Sequence, residues 1–109
     1  MQLEKNRRGR ELRVVLSGEL DHHNAAIIRE EVDRELDGSV KLLTLDMSGI
    51  TFMDSSGIGV VLGRYRRMSE SGGKLRMGGM SIYAEKILRM AGVLALLESC
   101  LLYTSPSPR

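Results

Sequence analysis

The chain has 109 residues, of which 42% are hydrophobic and 28% are charged, and its formal net charge is +2. These proportions are typical of one small globular domain. A chain of this length forms one core, and a deep substrate cleft would use up much of it, which argues against a self-sufficient enzyme. Its apolar stretches are far shorter than the roughly 20 residues that cross a bilayer, and residues 1–5 lack the apolar run of a signal peptide. We therefore expect a cytoplasmic protein without a membrane partner.

Cysteine, histidine and charge restrict the chemistry further. Cys100 is the only cysteine and His22 and His23 are the only histidines, so neither an internal disulfide nor a structural zinc site is expected, and we predict no metal and no cofactor. The chain has no Trp and one Phe to stack on bases, so its basic clusters are interpreted as solvated surface and no direct nucleic-acid binding is expected. The clusters are Arg7, Arg8, Arg10 and Arg13, and Arg64, Arg66 and Arg67.

The first third of the chain predicts two strands and a helix. Leu12, Val14 and Leu16 recur at period 2 and predict a strand, against which residues 2–5 pair across a turn at residues 6–9. Residues 19–24 are predicted to be a loop. Apolar residues then recur at helical spacing up to a glycine stop at Gly38. The buried side of this amphipathic helix is predicted to hold Ala25, Ile28, Val32 and Leu36.

The middle third predicts a buried strand and a second helix. Residues 40–47 are apolar almost throughout, as in a central strand covered on both faces by helices. A loop at residues 48–54 leads into the helix, which Gly72 and Gly73 end. Its predicted buried residues are Ile58, Val61, Leu62, Tyr65 and Met68, and its predicted exposed residues are Arg64, Arg66, Arg67 and Glu70.

The last third predicts a short strand at residues 74–78, a third helix from a Ser81 cap through Met90, and a glycine cap at Gly92. Residues 93–98 are short and apolar enough for a last strand. Residues 103–109 have no periodicity and contain both prolines, which predicts a disordered tail; a fusion or cloning remnant would have the same composition. Strands that alternate with helices after an opening hairpin predict an α/β layer fold with a mixed sheet.

The most informative stretch is Phe52–Val61, where a carboxylate and two hydroxyls lie between a strand and a helix. In α/β sheets, ligands and partners meet the protein at the carboxyl ends of the strands. Ser55 or Ser56 is predicted at the N-cap or in the first turn of the helix, where free N–H groups and the helix dipole favour an anion, so the fold would tolerate a phosphate there. The alternative is that Asp54 and Ser55 only cap the helix.

Enzyme motifs fail in the same stretch. A nucleophile elbow needs glycine two residues before and after the serine, but Met53 precedes Ser55 at that spacing. The phosphate-binding G-x-x-x-x-G-K-[ST] pattern is absent, and Leu62 replaces the third glycine of a G-x-G-x-x-G pattern. A hydrolase that pairs Ser55 with His22 or His23 lacks an oriented third group.

His22 and His23 also suggest a metal site together with Asp21. Adjacent side chains in an extended segment point in opposite directions, however, and only one further ligand is close in sequence. The favoured interpretation is a helix entry capped by Asp21 or Asn24.

Four motifs together resemble the bacterial anti-sigma factor antagonists, which have the STAS-domain fold. The motifs are Gly18–His23, Phe52–Gly57, Gly63–Tyr65 and the pair at residues 72–73. The resemblance covers about residues 3–99 and implies a single α/β domain at residues 1–99, with a STAS-like mixed β-sheet and helices packed on it. The family ends in a further amphipathic helix that residues 100–109 do not provide, so that C-terminal helix is expected to be missing.

The resemblance also implies a switch. In the family, the unphosphorylated antagonist binds an anti-sigma factor that is a serine kinase and frees the sigma factor for transcription, as in the control of sporulation. The kinase phosphorylates the serine after the aspartate, here Ser55 with Ser56 as its neighbour, and a serine phosphatase reverses this step. We expect a monomer whose partner-facing residues are Asp21, His22, His23, Asp54 and Gly57.

A second interpretation stays open, in which the chain is a STAS-type structural module that works in a larger signalling assembly without phosphorylation. Phosphate incorporation at Ser55 distinguishes the two. The sequence also departs from the family at the third helix, which usually has a proline near its start where this chain has Ile82 and Tyr83.

Overall fold

The computed structural model describes residues 1–99, with the side chains of residues 1–97. The predicted α/β class is confirmed, because strands and helices alternate after an opening hairpin. The predicted tail and the expected loss of a final helix lie outside the described residues. In chain order the elements are β1 (Gln2–Arg8), β2 (Glu11–Leu20), α1 (His22–Glu35), β3 (Leu42–Met53), α2 (Ser55–Glu70), β4 (Lys74–Met80), α3 (Ile82–Met90) and α4 (Val93–Ser99).

The four strands form one mixed sheet in the order β1-β2-β3-β4. β1 and β2 are antiparallel, whereas β2 pairs with β3 and β3 pairs with β4 in parallel. Because side chains alternate along a strand, one face of the sheet is apolar and packs against the helices. Lys5 holds α1 over this face, since its Nζ lies 3.1 Å from Glu31 Oε1 and 3.2 Å from Glu35 Oε2. The buried strand residues include Leu12, Val14, Leu16, Leu43, Leu45, Met47, Leu75 and Met77.

The opposite face of the sheet carries charged side chains joined across the strands. Arg76 Nη2 lies 3.2 Å from Glu11 Oε2, and Arg13 Nη2 lies 2.7 Å from Asp46 Oδ2. These side chains keep between 15% and 43% of their accessible surface, and they cover the buried Thr44. The prediction that helices cover both faces of the central strand is therefore wrong, because ion pairs close the second face.

Asp46 on this face gives the stability a defined pH dependence. Burial raises the pKa of Asp46, but hydrogen bonds from Ser48 and the charge of Arg13 outweigh it and leave the pKa below its ordinary value of 3.8. The charged Asp46 therefore stabilises the fold at pH values above 3.8, and this stabilisation is lost as the pH falls below 3.8 and through the lowered folded-state pKa. We expect the free energy of unfolding of wild type to exceed that of Asp46→Asn by about 1 kcal/mol at neutral pH, and the difference to shrink as the pH falls below 3.8, as measured by urea unfolding. A gap that does not change with pH would contradict this.

The hairpin and the two central strands extend further than predicted. A tight turn at Gly9, with φ of 58°, joins β1 to β2, so the predicted turn at residues 6–9 is mostly strand. The predicted loops at residues 19–24 and 48–54 are also wrong: β2 runs to Leu20, α1 begins at His22, and β3 runs to Met53. Pairing between β2 and β3 overrides the local tendency of these glycine-containing segments to form loops, because the ladder continues past Gly18 and Gly49 through shifts of register. Gly49 approaches Ser17 so closely that a Cβ on Gly49 would lie 2.7 Å from Ser17 Cβ.

The last elements include one correct and one wrong prediction. Ser81 caps α3, as predicted, by accepting a hydrogen bond from the Ala84 N–H at 3.2 Å, and α3 forms without a proline at its start. Gly92 has φ of 79° and ends the segment as predicted. The predicted strand at residues 93–98 is instead helix α4, in which Val93, Leu94 and Leu97 are buried at helical spacing. A short apolar run does not distinguish a strand from a helix, and packing on α3 decides it here.

Candidate functional site

The candidate site lies where β2 and β3 end side by side. Leu20, the last residue of β2, is paired with Met53, the last residue of β3. Each strand is followed at once by an aspartate that caps a helix, Asp21 for α1 and Asp54 for α2. The Asp54 N–H also donates to the Leu20 carbonyl at 3.3 Å. Because neighbouring strands are about 4.8 Å apart, the register brings two sequence-distant caps together at one edge, which we call the carboxyl edge.

Asp54 and the two serines begin helix α2 as the sequence predicts. Asp54 Oδ1 accepts a hydrogen bond from the Ser56 N–H at 2.8 Å, and the Asp54 carbonyl accepts one from the Gly57 N–H at 3.0 Å. Ser55 and Ser56 are therefore the first two helical residues. The Ser55 side chain is exposed, and its hydroxyl has no hydrogen-bond partner in the part of the chain that the structure describes. Ser56 is half-buried.

The other predicted partner-facing residues lie at the start of α1. Asp21 Oδ1 accepts a hydrogen bond from the Asn24 N–H at 2.9 Å, so Asp21 is the cap, and Asn24 Nδ2 donates to the Glu19 carbonyl at 2.8 Å. His22 and His23 are both exposed in the first turn. The carboxyl edge thus presents carboxylates, imidazoles and the free hydroxyl of Ser55 to solvent.

No metal or hydrolase constellation forms at this edge. Among residues 1–97, no group of three side chains from His, Cys, Asp and Glu is arranged to hold a metal ion. No hydrogen bond joins Ser55 to His22 or His23 among the same residues. No helix of the described residues is long and apolar enough to cross a membrane.

Gly57 is buried, unlike the other predicted partner-facing residues, and lies against Met53. A Cβ on Gly57 would lie 2.7 Å from Met53 Cγ and 3.0 Å from its sulfur, both below ordinary contact. Its visible role is to let α2 begin close to the end of β3. Any effect of Gly57 on a partner would therefore act through the position of Ser55.

Two glycines in the same helix test this role. Gly57→Ala is expected to destabilise the fold by about 1 kcal/mol, because overpacking outweighs the gain in helix propensity. Gly59→Ala, where no atom lies within 4 Å of the added Cβ, is expected to stabilise it by about 0.5–1 kcal/mol. Urea unfolding of both variants measures the difference. Equal effects at the two positions would show that Met53 yields to the new methyl group.

Arg64 on α2 is buried, so the prediction that it is exposed is wrong. Its side chain keeps 7% of its accessible surface, and its Nε lies 2.9 Å from Asp33 Oδ1 on α1. Neither of these atoms, nor Arg64 Nη1, makes an aligned hydrogen bond with a described residue, so the pair is a charge contact. Burial lowers the pKa of the Arg64 guanidinium. The charge of Asp33 raises this pKa, and the positive charges of Arg29 and Arg67 lower it further. A helical pattern of charges does not reveal that a second helix covers one of them.

Phe52 is an exposed aromatic residue of the site that was not among the predicted partner-facing residues. It keeps 48% of its accessible surface, two residues before Asp54, and it is paired with Glu19 on β2. Its neighbour Met53 is buried, so Phe52 faces the opposite side of the sheet. Strand alternation alone would have placed Phe52 on the same side as the buried Ile50. The pairs Gly18–Ile50 and Glu19–Phe52 leave Thr51 as an extra residue, and this shift of register turns Phe52 to the exposed side.

Comparison with known proteins agrees with this geometry. The sequence model of the STAS domain matches residues 2–106. The anti-sigma F factor antagonist of Paenibacillus polymyxa is 33% identical over 98 residues, which are 89% of this chain and 84% of that protein. The solved structure of the anti-sigma factor antagonist SpoIIAA in its unphosphorylated form has a TM-score of 0.79 and 25% identity, and covers 98% of this chain and 90% of the other. The solved structure of the Bacillus cell fate determinant SpoIIAA in the phosphorylated form has a TM-score of 0.74 and 25% identity, and covers 98% of this chain and 93% of the other.

The chain forms a four-stranded mixed sheet with capped helices at its carboxyl edge, and the STAS-domain model matches nearly its whole length. These two findings define a STAS domain. With the similarity to the Paenibacillus protein, the chain belongs to the family of STAS-domain anti-sigma factor antagonists. The resemblance inferred from its motifs is confirmed.

Proposed function

We propose that this anti-sigma factor antagonist is switched at Ser55. In its unphosphorylated form it binds an anti-sigma factor serine kinase and thereby frees a sigma factor for transcription. The kinase ends the complex by phosphorylating Ser55, and a serine phosphatase restores binding. Similarity to SpoIIAA and to the anti-sigma F factor antagonist supports sporulation as the process. The chain acts in this scheme as a regulatory binding protein, and its partner supplies the ATP.

The exposed, unbonded Ser55 hydroxyl at the carboxyl edge carries the proposal. A kinase can reach this hydroxyl without breaking a hydrogen bond or unfolding the start of α2. Ser56 is the less suitable acceptor because it is half-buried. The same edge presents Asp21, His22, His23 and Asp54, which we assign to the surface that the kinase contacts.

The local electrostatics allow the fold to survive phosphorylation. A phosphate on Ser55 adds about −1.5 to −2 charges at the positive end of the α2 dipole, which favours an anion. Asp54 already occupies the Ser56 N–H, so the phosphate would project from the first turn into solvent. The cap and the helix are retained.

The same charge weakens the complex. Glu19, Asp21 and Asp54 already make the carboxyl edge acidic, and the phosphate adds to a surface that a partner must cover and desolvate. A coupling free energy of about 3 kcal/mol between phosphate and partner would lower the affinity more than a hundredfold. The switch therefore requires a change of surface charge and no change of fold.

Phosphorylation by the cognate kinase tests the proposal directly. The chain is incubated with the kinase and ATP, and mass spectrometry locates phosphate within residues 52–64. Phosphate on Ser55 supports the switch. A chain that binds the kinase but carries no phosphate would instead fit the STAS-type structural module, which acts without phosphorylation.

Ser55→Asp isolates the contribution of charge to the switch. We expect this variant to fold normally and to bind the kinase at least about tenfold more weakly, since one carboxylate supplies part of the charge of a phosphate. Ser55→Asn, which has the same size and no charge, is the matched control and should bind nearly as wild type. Isothermal titration calorimetry measures both affinities. Equal losses for the two variants would attribute the effect to shape.

A further inference from the structure

The edge of the sheet opposite Ser55 concentrates exposed positive charge. Hydrogen bonds place three of these residues in one row at the starts of β2, β3 and β4: the Lys41 N–H donates to the Arg10 carbonyl at 2.7 Å, and the Lys74 N–H donates to the Lys41 carbonyl at 2.9 Å. Arg8 faces this row across the β1–β2 turn. We call this surface the basic edge, and it consists of Arg7, Arg8, Arg10, Lys41 and Lys74, all exposed.

The fold gives these five cations no direct ion pair with a carboxylate of the described residues. Among residues 1–97, the other Lys and Arg side chains mostly form ion pairs, but none of the five basic-edge residues does so. Arg7 donates only to the Gly9 carbonyl and to Ser39 Oγ, and Lys41 donates to the Ser71 carbonyl. The side chains of Arg8, Arg10 and Lys74 make no hydrogen bond to a described residue.

Asp37 interacts with one residue of this surface, because hydrogen bonds from Ser39 and also the charge of Arg7 lower the pKa of Asp37, but no direct ion pair forms between Asp37 and Arg7. Asp37 Oδ1 accepts hydrogen bonds from the Ser39 N–H and hydroxyl, and Glu11 Oε2 is paired with Arg76 at 3.2 Å. Like charges held at one edge repel one another, and an acidic partner would relieve that repulsion. The net charge of the whole chain is only +2, so the basic edge is a local feature.

We propose that the basic edge is a second docking surface, which binds an acidic polypeptide segment. The row across four strands spans about 15 Å, the length of four or five residues of an extended peptide. Stacking on bases would need exposed aromatic side chains. Among the described residues, Phe52 lies at the other end of β3, Tyr83 lies in the first turn of α3 after the end of β4, and Tyr65 is half-buried on α2. These observations favour a peptide over a nucleic acid.

The position of the basic edge makes its occupation independent of the switch. β3 begins at Leu42, directly after Lys41 of the basic edge, and ends at Met53, directly before Asp54 and Ser55. The longest extent of the molecule is 33 Å. The two edges are therefore at opposite ends of the same strand. A partner on the basic edge binds equally well to the phosphorylated and unphosphorylated forms.

Fluorescence anisotropy with a labelled peptide of alternating glutamate and glycine tests this docking surface. The triple variant Arg8→Gln, Arg10→Gln and Lys74→Gln removes three cations that make no side-chain bond, so its fold should be unchanged. The matched control, Arg29→Gln, Arg66→Gln and Lys86→Gln, removes three unpaired cations elsewhere. We expect the first triple variant to lose about tenfold or more in affinity and the control to lose less than about threefold.

Other outcomes would overturn the proposal. Equal losses in the two triple variants, or no binding by the wild type at low salt, would mean that the basic edge is only solvated surface. Tighter binding of a single-stranded oligonucleotide than of the peptide at the same ionic strength would assign the surface to nucleic acid instead. Ser55→Asp should bind the peptide within about twofold of wild type, and a larger change would refute the independence of the two edges. None of these results depends on the phosphorylation of Ser55.

Discussion

Ser55→Ala is expected to reduce phosphate incorporation by the cognate kinase to background while the complex with that kinase is retained. The substitution removes the acceptor hydroxyl and nothing that holds the fold, because this hydroxyl has no hydrogen-bond partner among the described residues. Most interface side chains cost less than about 1 kcal/mol of binding free energy when truncated, and this variant loses only one hydroxyl, so the affinity should stay within about fivefold. Radiolabelled ATP and calorimetry give the two measurements, and the variant should behave as a permanently active antagonist.

Ser56→Ala is the matched control for this experiment. It removes the neighbouring hydroxyl but leaves the Ser56 N–H that donates to Asp54, so the cap persists. We expect this variant to be phosphorylated at a rate close to that of wild type. Phosphate on Ser55→Ala at the wild-type rate would refute the assignment, and loss of phosphate only in Ser56→Ala would move the acceptor site to residue 56.

Asp33→Ala is expected to cause the largest loss of stability, about 2–3 kcal/mol. It leaves the Arg64 guanidinium, whose side chain is 7% exposed, without the carboxylate that lies 2.9 Å away. A fully buried unpaired charge costs about 3–5 kcal/mol, and the smaller value applies because Asp33 keeps 30% of its accessible surface. For a domain of this size the melting temperature should fall by about 10–20 °C, which calorimetry measures.

Two further variants separate charge burial from other causes. The double variant Asp33→Leu with Arg64→Met should recover most of the lost stability, because an apolar pair can replace a buried ion pair at little cost. Glu85→Ala removes one partner of the exposed Glu85–Arg89 pair and should cost less than about 0.5 kcal/mol. If Asp33→Ala also lowers the free energy of unfolding by less than about 0.5 kcal/mol, the Arg64 side chain must reach solvent in the variant, and the Asp33–Arg64 contact does not contribute to stability.

Local signals predicted the parts of the site that depend on neighbouring residues in the chain. Asp54 and Ser55 lie at a helix start because a carboxylate two residues before a free N–H caps it, and this requires only sequence spacing. Ser81 was predicted as a cap for the same reason, and Asp21 was one of the two candidates, with Asn24, for the cap of α1. The four motifs at residues 18–23, 52–57, 63–65 and 72–73 together indicated the family.

Signals that depend on distant residues were missed or misjudged. The loop predicted at residues 48–54 is wrong, because pairing with β2 extends β3 to Met53 even though Ser48 and Gly49 are weak strand formers. Phe52 was missed as well, because its exposure depends on the shift of register that leaves Thr51 as an extra residue between Ile50 and Phe52. Residues 93–98 became a helix because α3 offers a surface for their apolar side.

The sequence by itself determined the order of the elements from β1 to α3, the caps of α2 and α3 and the hydroxyl that we assign to the switch, because each depends on residues within a few positions of one another. Only the tertiary structure decided that Asp21 and Asp54 lie together, that Arg64 is buried against Asp33, and that basic residues from three strand starts share one edge. These features depend on strand register and helix packing, which bring together residues that are tens of positions apart and leave no local pattern.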